Sequence, residues 1–401
     1  MTVPTIQPMT KWHLTILVSL LTMIGPFTID AYLPAFESME QDFSISRALM
    51  TQTLGSYLVA FGTSTLVWGA LTDSIGRKPV IIFSIGAYVL ASLACAIANS
   101  YEQFLLFRIF QGLAACGALI AGRAMVRDVL NTKDAQQVMA QAMMLFSASP
   151  VIAPLFGGFL HDLFGWRSIF WFLVIYGCSV IIYALIVTQE TLQTEDKKSI
   201  HIKQVSSVYL RTLKNPHYVC LVLIFTAVFS SFFVFIAGAP TVIFDMLELG
   251  TDSFYVLFLP VVIGITSGAA VTNRLLNHYS ATQIMNLSIY AMFIIALINL
   301  ALNAFMDESI ARIIIPIALS AFFMSMIMPV ISVEILNCFP NNRGSASAMQ
   351  SFIQMGFNGL AVNIIVASLG VLLLNFTLAQ VLLISIALIL WIIDLRLQKH
   401  N

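Results

Sequence analysis

Twelve long apolar runs, separated by short polar clusters, constrain the fold of this 401-residue chain. A hydrocarbon core about 30 Å thick requires roughly 20 apolar residues of helix, whereas a barrel strand crosses it with about ten residues of alternating polarity. The runs are too long and too uniformly apolar for barrel strands, so they predict an all-α integral membrane protein with twelve transmembrane helices. They lie near residues 13–35, 50–70, 79–98, 102–122, 137–160, 167–188, 217–239, 254–273, 284–304, 310–336, 346–368 and 371–394.

The composition excludes soluble enzymes and nucleic-acid-binding proteins. Charged residues make up 9% of the chain and apolar residues 59%, whereas roughly a quarter of a soluble globular chain is charged. The formal net charge is zero, so no basic surface favours a nucleic acid partner. The five cysteines lie singly, without the spacing of metal ligands, and predict no metal site. The expected surroundings of such a chain are the lipid bilayer.

Basic residues are distributed unevenly across this topology. With the N-terminus in the cytoplasm, most of the 19 lysine and arginine residues lie on the inner side. Positively charged loops of membrane proteins face the cytoplasm, so both termini are predicted to be cytoplasmic. The longest polar interval, 189–216, is then a cytoplasmic linker between an N-terminal six-helix bundle (1–188) and a C-terminal six-helix bundle (217–401).

The two halves are weakly similar in sequence. Gly69 at the end of the second span recurs as Gly268 in the eighth, and Arg108 in the fourth span recurs as Arg312 in the tenth. Both offsets are about 200 residues, which indicates a six-span repeat, and repeated halves with a substrate site between them are typical of transporters.

The loop between the second and third spans reads GALTDSIGRKP from Gly69 onwards. Gly69 and Gly76 permit a tight reversal, Asp73 can face the positive end of a helix, and Arg77 can pair with an acid. The segment resembles the loop signature of the major facilitator superfamily, G-x-L-x-D-x-x-G-R-K. It departs from the family at Ser74, where a basic residue is common.

Three further segments resemble the same family. LLFRIFQG around Arg108 resembles its fourth-span motif with a buried arginine, and SPVIAPLFGG resembles the fifth-span motif of antiporters, although Ala153 stands where glycine commonly precedes the proline. FTIDAYLPA around Asp30, with Arg127 and Asp128 in MVRD, resembles the bicyclomycin/chloramphenicol-resistance branch of drug:proton antiporters. The antiporter-motif residues, which allow a kink and close packing against the opposite half, are Pro150, Pro154, Gly157 and Gly158.

The resemblance implies a major facilitator fold of two pseudo-symmetric six-helix bundles. It also implies a proton-coupled efflux antiporter for multidrug or amphenicol/bicyclomycin-type antibiotic substrates, which works by alternating access and is not an enzyme. Such a protein acts as a monomer in the bacterial inner membrane and exchanges a small amphipathic drug for protons. The cytoplasmic gate that the motifs imply, closed in the outward-open state, comprises Gly69, Asp73, Gly76, Arg77, Arg127 and Asp128.

Two alternatives remain open. A proton-coupled importer or metabolite exporter of the same fold is disfavoured by the fifth-span motif. A passive channel or a membrane enzyme is disfavoured by the repeat and by the lack of a catalytic cluster. The phosphate-binding pattern G-x-x-x-x-G-K-[ST] is absent from the sequence, so we expect a proton gradient, rather than a nucleotide or another cofactor, to supply the energy.

Four charged residues lie well inside the predicted spans rather than at their first or last position: Asp30, Arg108, Arg312 and Glu334. A charge at membrane depth is costly, and is by default a functional hypothesis. Asp30 and Arg108 lie at comparable depth, so we expect Asp30 to be the proton-coupling carboxyl group and Arg108 to modulate it. The structural alternatives are a cap at a helix end broken by Pro34 and a snorkelling arginine. For Arg312 we favour a side chain that snorkels to the membrane surface. For Glu334 we favour a gate or structural role over a role as a second proton site.

Tyr32 and Tyr57 lie among small or polar neighbours in the first two spans. Aromatic rings stack on partly apolar ligands, so these tyrosines, together with Asp30 and Arg108, are the predicted substrate-binding residues.

The predicted topology can be tested by cysteine labelling of a cysteine-free variant. A single cysteine at Ser199 is expected to react with an impermeant thiol reagent only after the cytoplasmic side is opened, and one at Ser44 to react in intact cells, because the linker and the first outer loop lie on opposite sides. Labelling of both positions in intact cells would contradict the arrangement.

Overall fold

The computed structural model describes residues 9–192, 209–306, 309–366 and 372–400. Within these ranges the chain is helical apart from short turns and contains no β-strand. The helices of the N-terminal half are α1 (Lys11–Asp30), α2 (Phe36–Phe43), α3 (Arg47–Ile75), α4 (Arg77–Ala96), α5 (Tyr101–Val129), α6 (Thr132–Phe164) and α7 (Arg167–Val187). Those of the C-terminal half are α8 (Pro216–Ala237), α9 (Phe254–Leu275), α10 (Ala281–Phe305), α11 (Ile310–Asn337), α12 (Arg343–Ala361) and α13 (Leu373–His400).

Every predicted span has a helical counterpart, although the helices differ in apolarity. In the described part of the chain, ten helical segments are long and apolar enough to cross a membrane, and α6 is an eleventh if its two arms form one span. The helix axis bends by 43° between these arms, Thr132–Phe146 and Ala148–Phe164. The bend precedes Pro150, which lacks an N–H group and whose ring crowds the preceding turn. The span predicted at 346–368 corresponds to α12, which is less apolar because it carries buried amide side chains; the end of that span lies outside the described residues.

Side-chain caps fix the starts of several helices. Thr10 accepts a hydrogen bond from the His13 N–H group at the start of α1, and Ser280 accepts one from the Gln283 N–H group at the start of α10. Each such cap contributes about 0.5–2 kcal/mol, so the polar clusters between the apolar runs define where the helices begin.

The helices pack as two groups that meet along two seams. In the N-terminal half α3 and α4 pack on α5, and α1 on α6; in the C-terminal half α9 packs on α11, and α8 on α13. The seams are α3 against α12 and α6 against α9. The domain boundaries at 188 and 217 stay predictions, since residues 193–208 of the linker lie outside the described ranges.

A short helical segment, 209–213, attaches the chain before α8 to the other half. The Tyr209 hydroxyl donates a hydrogen bond of 3.1 Å to the carbonyl oxygen of Leu66 in α3. Burial, and then the negative charge of Asp73, raise the pKa of Tyr209. The hydroxyl therefore stays protonated and able to donate.

Glycines bring the backbones of α3 and α12 into direct contact. A Cβ atom at Gly359 would lie 2.5 Å from the carbonyl oxygen of Gly55 and 2.8 Å from the nitrogen of Val59. One at Gly62 would lie 3.0 Å from the nitrogen of Gly356. Small residues allow such close approach of membrane helices, and here they join the two halves.

The two glycines of the antiporter motif in α6 pack against different parts of the molecule, one against the C-terminal half and one within the N-terminal half. Gly158 faces the C-terminal half, where an added Cβ atom would lie 3.3 Å from the carbonyl oxygen of Thr251. Gly157 instead packs against the backbone of Ala31, just after α1 in its own half. The expectation that both glycines pack against the opposite half was therefore wrong for Gly157, because adjacent helical residues point about 100° apart.

Polar contacts join the halves at the end opposite the linker, which the predicted topology makes the outer end. Arg47, at the start of α3, donates from Nη1 to Asp245 Oδ2 at 2.9 Å and also pairs with Glu40. Asp245 lies in a π-helical turn, Thr241–Met246, that follows α8. Nearby, the Thr251 hydroxyl donates to Asp162 Oδ1 at 2.9 Å. The two halves are therefore connected at their outer ends in this structure.

The glycine contact can be tested with two substitutions on one helix. Gly359→Ala is expected to lower stability by about 1–3 kcal/mol, because the methyl group overlaps the α3 backbone. Gly356→Ala is the matched control, since its Cβ atom would meet nothing within 4 Å and alanine favours a helix. Thermal unfolding of the purified variants should separate their midpoints by several degrees. Equal midpoints would show that the α3–α12 contact is loose.

Candidate functional site

Asp30 is a buried carboxyl group without a protein partner. It is the last residue of α1 and is 6% exposed, and its carboxyl group makes no hydrogen bond or ion pair with any residue that the structure describes. It does not cap the helix, and a negative charge at a helix C-terminus is unfavourable because the macrodipole is negative there. A 3₁₀ turn containing Pro34 follows, so the chain breaks as the sequence suggested while the carboxyl group is left unpaired.

Arg108 is fully buried in the same region and is held mainly by neutral groups. Its Nη1 donates to the carbonyl oxygen of Thr28 at 3.3 Å and to Gln111 Oε1 at 2.6 Å. The guanidinium carbon lies 4.4 Å from the ring centre of Tyr32 and 4.6 Å from that of Tyr57. Its Nε and Nη2 atoms have no hydrogen-bond partner within the described chain. A buried guanidinium with free donors can attract an acceptor group of a ligand.

Asp30 and Arg108 come together in one region but do not form an ion pair. Arg108 contacts Thr28 and Tyr32, the residues two positions before and after Asp30 in the chain. Arg108, which lies in α5, thus contacts the chain on either side of Asp30, at the end of α1 and just beyond it. Their roles in proton coupling stay predictions.

The two predicted pocket tyrosines face Arg108. Tyr32 shares a hydrogen bond of 3.2 Å with the hydroxyl of Thr53, and both tyrosines are almost completely buried. The hydroxyl of Tyr57 has no partner among the described residues. Each ring therefore stabilises the cation by a cation–π contact, and substrate stacking on these rings stays a prediction.

A buried hydrogen-bond network around Arg108 was missed from the sequence. Gln111, which orients Arg108, donates from Nε2 to Ser92 at 2.7 Å, and Tyr88 shares a hydrogen bond of 2.6 Å with Thr28. Gln111 lies in the same motif as Arg108 and was detectable there. Tyr88 lies in an ordinary apolar run of α4 and carried no signal.

The predicted cytoplasmic charge cluster forms around Arg77. Its Nη1 donates to Asp73 at 2.9 Å and its Nε to Asp128 at 3.0 Å. Arg127 lies outside this cluster, because its exposed side chain makes no hydrogen bond or ion pair with a described residue. Since Arg127 and Asp128 are neighbours on a helix, their side chains diverge, and only one reaches Arg77.

Glu190 completes the cluster and was not anticipated. It accepts hydrogen bonds from the backbone N–H groups of Arg77 at 2.9 Å and Lys78 at 3.2 Å, the first residues of α4. It lies against Gly76, whose φ of 121° favours glycine and where a side chain would overlap the carboxylate. The Thr191 hydroxyl also donates to Asp128 at 3.0 Å. Glu190 thus supplies the N-terminal acceptor that α4 lacks in its own sequence.

The other predicted charged residues lie away from this region. Arg312 is buried rather than extended to the membrane surface, because its Nη1 donates to the carbonyl oxygens of Met306 and Leu302. Glu334 is half-buried near the end of α11 and makes no hydrogen bond or ion pair from its carboxylate to a described residue. Asp394 is fully buried with its Oδ1 2.6 Å from His217 Nδ1; the sequence prediction placed it at a span end and missed it.

Comparison with known proteins gives a consistent family assignment. Residues 18–362 match the Major Facilitator Superfamily. A bicyclomycin resistance protein homolog of Haemophilus influenzae is 23% identical over 354 residues, which cover 87% of each chain. A chloramphenicol resistance protein of Pseudomonas aeruginosa is 28% identical over 273 residues, or 68% of this chain and 64% of that one. A crystal structure of a D-xylose–proton symporter superposes with a TM-score of 0.72 at 15% identity, covering 95% of this chain and 97% of that one. The last similarity shows a shared fold.

The cap that Glu190 provides can be tested by neutralising it. Glu190→Gln is expected to destabilise the protein by about 0.5–2 kcal/mol, since a charged acceptor at a helix N-terminus is lost. Glu248→Gln is the control, because Glu248 is exposed and has no hydrogen-bond partner among the described residues. Thermal unfolding should show a lower midpoint for Glu190→Gln alone. An unchanged midpoint would mean that water replaces the carboxylate at α4.

Proposed function

Because this chain belongs to the Major Facilitator Superfamily, we propose that it is a proton-coupled drug efflux antiporter that works by alternating access. Relatives that align with most of the chain are named for resistance to bicyclomycin and chloramphenicol. The proposed substrate is accordingly a small amphipathic drug. We place the protein as a monomer in the bacterial inner membrane, with both termini in the cytoplasm and no cofactor other than the proton gradient.

The observation that carries this proposal is the unpaired carboxyl group of Asp30. Burial in a low-dielectric site favours the neutral, protonated form of an acid, and a nearby cation favours the ionised form. Asp30 lies at a helix C-terminus, which adds to the first effect. Arg108, which contacts Thr28 and Tyr32 on either side of Asp30 in the chain, is proposed to supply the second effect when the site rearranges. A group balanced in this way can bind a proton and release it when a ligand or water changes its surroundings.

Alternating access supplies the rest of the cycle. The outer contacts, Arg47 with Asp245 and Thr251 with Asp162, have to separate before the drug and proton pathways open outward. On the inner side, the cluster of Asp73, Arg77 and Asp128 is proposed to meet the C-terminal half when that face closes. Each proton that enters through a 100 mV potential contributes about 2.3 kcal/mol, to which the pH difference adds.

The importer and channel alternatives differ from this proposal in measurable flux. An antiporter moves drug and protons in opposite directions, an importer of the proton-coupled kind moves them together, and a channel passes substrate without protons. Proteoliposomes with an imposed pH gradient, chloramphenicol as the drug and an internal pH dye distinguish all three.

Asp30→Asn is the decisive variant in that assay. It is expected to reduce proton-driven chloramphenicol transport to the level of empty liposomes, because asparagine cannot exchange a proton. In the wild-type protein a drug that competes with one proton binds more tightly as pH rises, by up to about tenfold per pH unit, and Asp30→Asn should remove this dependence.

Asp134→Asn is the control for this change, since it alters a partly exposed carboxylate that pairs with Lys11. Wild-type pH dependence and proton flux in Asp30→Asn would place the proton site elsewhere, with Glu334 as the next candidate.

A further inference from the structure

One face of α12 carries three amide side chains at the depth of the membrane core. Gln350, Gln354 and Asn358 recur every four residues and so share a face of the helix. They are 8%, 9% and 1% exposed. Gln354 lies about 16 Å along α12 from its start at 1.5 Å per residue, which is close to the middle of the helix. Polar groups at this depth are functional hypotheses by default.

The hydrogen-bonding capacity of this amide face is largely unused. The side chains of Gln350 and Gln354 make no hydrogen bond with a described residue. Asn358 Oδ1 accepts a hydrogen bond from the hydroxyl of Ser230 in α8, while its Nδ2 is buried without a partner in the described chain. Buried amides without partners are destabilising in a membrane, so their retention calls for a reason.

The amide face is turned away from the seam with α3. Gly359 and Met355, on a different side of the helix, contact α3, and Phe357 and Leu360 are exposed. The amides instead share the side on which α12 meets α8, where Asn358 reaches Ser230. They therefore do not hold the two halves together.

Two other buried amides of the same half, Asn299 and Gln380, are bonded to protein partners. Asn299 Nδ2 donates to Gln380 Oε1 at 2.9 Å, and Gln380 Nε2 donates to the Ser320 hydroxyl at 2.9 Å. This chain links α10, α13 and α11 through both ends of the Gln380 amide. The contrast with Gln350 and Gln354 indicates that the α12 amides form hydrogen bonds with a ligand that binds reversibly.

We propose that Gln350, Gln354 and Asn358 form a substrate-recognition surface for the uncharged hydrogen-bonding part of a drug, such as its amide, hydroxyl or carbonyl groups. This inference rests on the proposed drug export. An amide side chain both donates and accepts hydrogen bonds, so the surface suits neutral groups of either kind. The charged groups Asp30 and Arg108 belong to the N-terminal half. In this proposal the N-terminal half couples transport to protons, and the C-terminal half recognises the polar groups of the drug.

The test compares two probes that differ in hydrogen bonding. Chloramphenicol is neutral and carries an amide and two hydroxyl groups; tetraphenylphosphonium is a cation with no hydrogen-bond donor or acceptor. Gln354→Leu is expected to raise the KM for chloramphenicol about tenfold, the effect of losing about 1.4 kcal/mol of hydrogen bonding. Its kcat and its KM for tetraphenylphosphonium should stay at wild-type values.

Gln380→Leu is the matched control, since it removes a buried glutamine whose amide is fully bonded. It should lower the thermal stability and leave both KM values unchanged. If Gln354→Leu does not fold, Gln350→Leu is measured with the same probes and the same expectation. Equal changes for the two compounds, or no change for either, would overturn the recognition surface.

The two proposals fail in different ways. If the wild-type protein transports both compounds and the α12 variants show no selectivity, only the recognition surface is wrong. If the wild-type protein binds chloramphenicol in detergent but moves neither compound, drug export is wrong, and the ratio of dissociation constants for Gln354→Leu then decides the recognition surface. If it neither binds nor moves chloramphenicol, both proposals are wrong.

Discussion

Every polar group that enters the hydrocarbon region has to find its partner inside the protein, and this constraint organises the molecule. The backbone meets it by forming helices almost throughout. Arg108 meets it in part: Nη1 donates to a carbonyl oxygen and an amide, and two aromatic rings face the guanidinium, while Nε and Nη2 have no partner in the described chain. The carboxyl group of Asp30 and the amides of Gln350 and Gln354 do not meet it among the described residues, and Asn358 meets it only through its Oδ1. Among the places where the requirement is left open are the residues to which we assign proton coupling and drug recognition.

The contacts between the halves are of two physical kinds. Along α3 and α12 the backbones touch through glycines, and the Thr65 hydroxyl donates a hydrogen bond of 3.3 Å across the seam to the carbonyl oxygen of Ala348. At the outer end the contacts are an ion pair and a hydrogen bond, Arg47 with Asp245 and Thr251 with Asp162. Exposed ion pairs are worth little individually, so they can separate readily. Close backbone packing along the seam, together with weak polar contacts at the outer end, suits halves that rock against each other.

The sequence predicted most of the fold because membrane helices are encoded locally, as long apolar runs. It also predicted the group of Asp73, Arg77 and Asp128, since two of these residues lie in one motif. Glu190 was not predictable, because its contact with the start of α4 joins segments far apart in the chain. The partner of Gly157 depends on how α6 is rotated, which two prolines and a bend make difficult to read. The amides of α12 were visible in the sequence, but an apolar window averages them with their neighbours.

The attachment of Tyr209 to α3 has a consequence for the range of motion. The covalent connection between the halves is formally the whole linker, yet the hydrogen bond to Leu66 fixes its last part to the N-terminal half. The stretch left to span any gap before α8 begins at Pro216 is then about six residues, or about 20 Å fully extended. While that bond holds, the length of this tether sets an upper limit on how far the start of α8 can move from Leu66 in α3. A larger excursion would first have to break one hydroxyl–carbonyl bond.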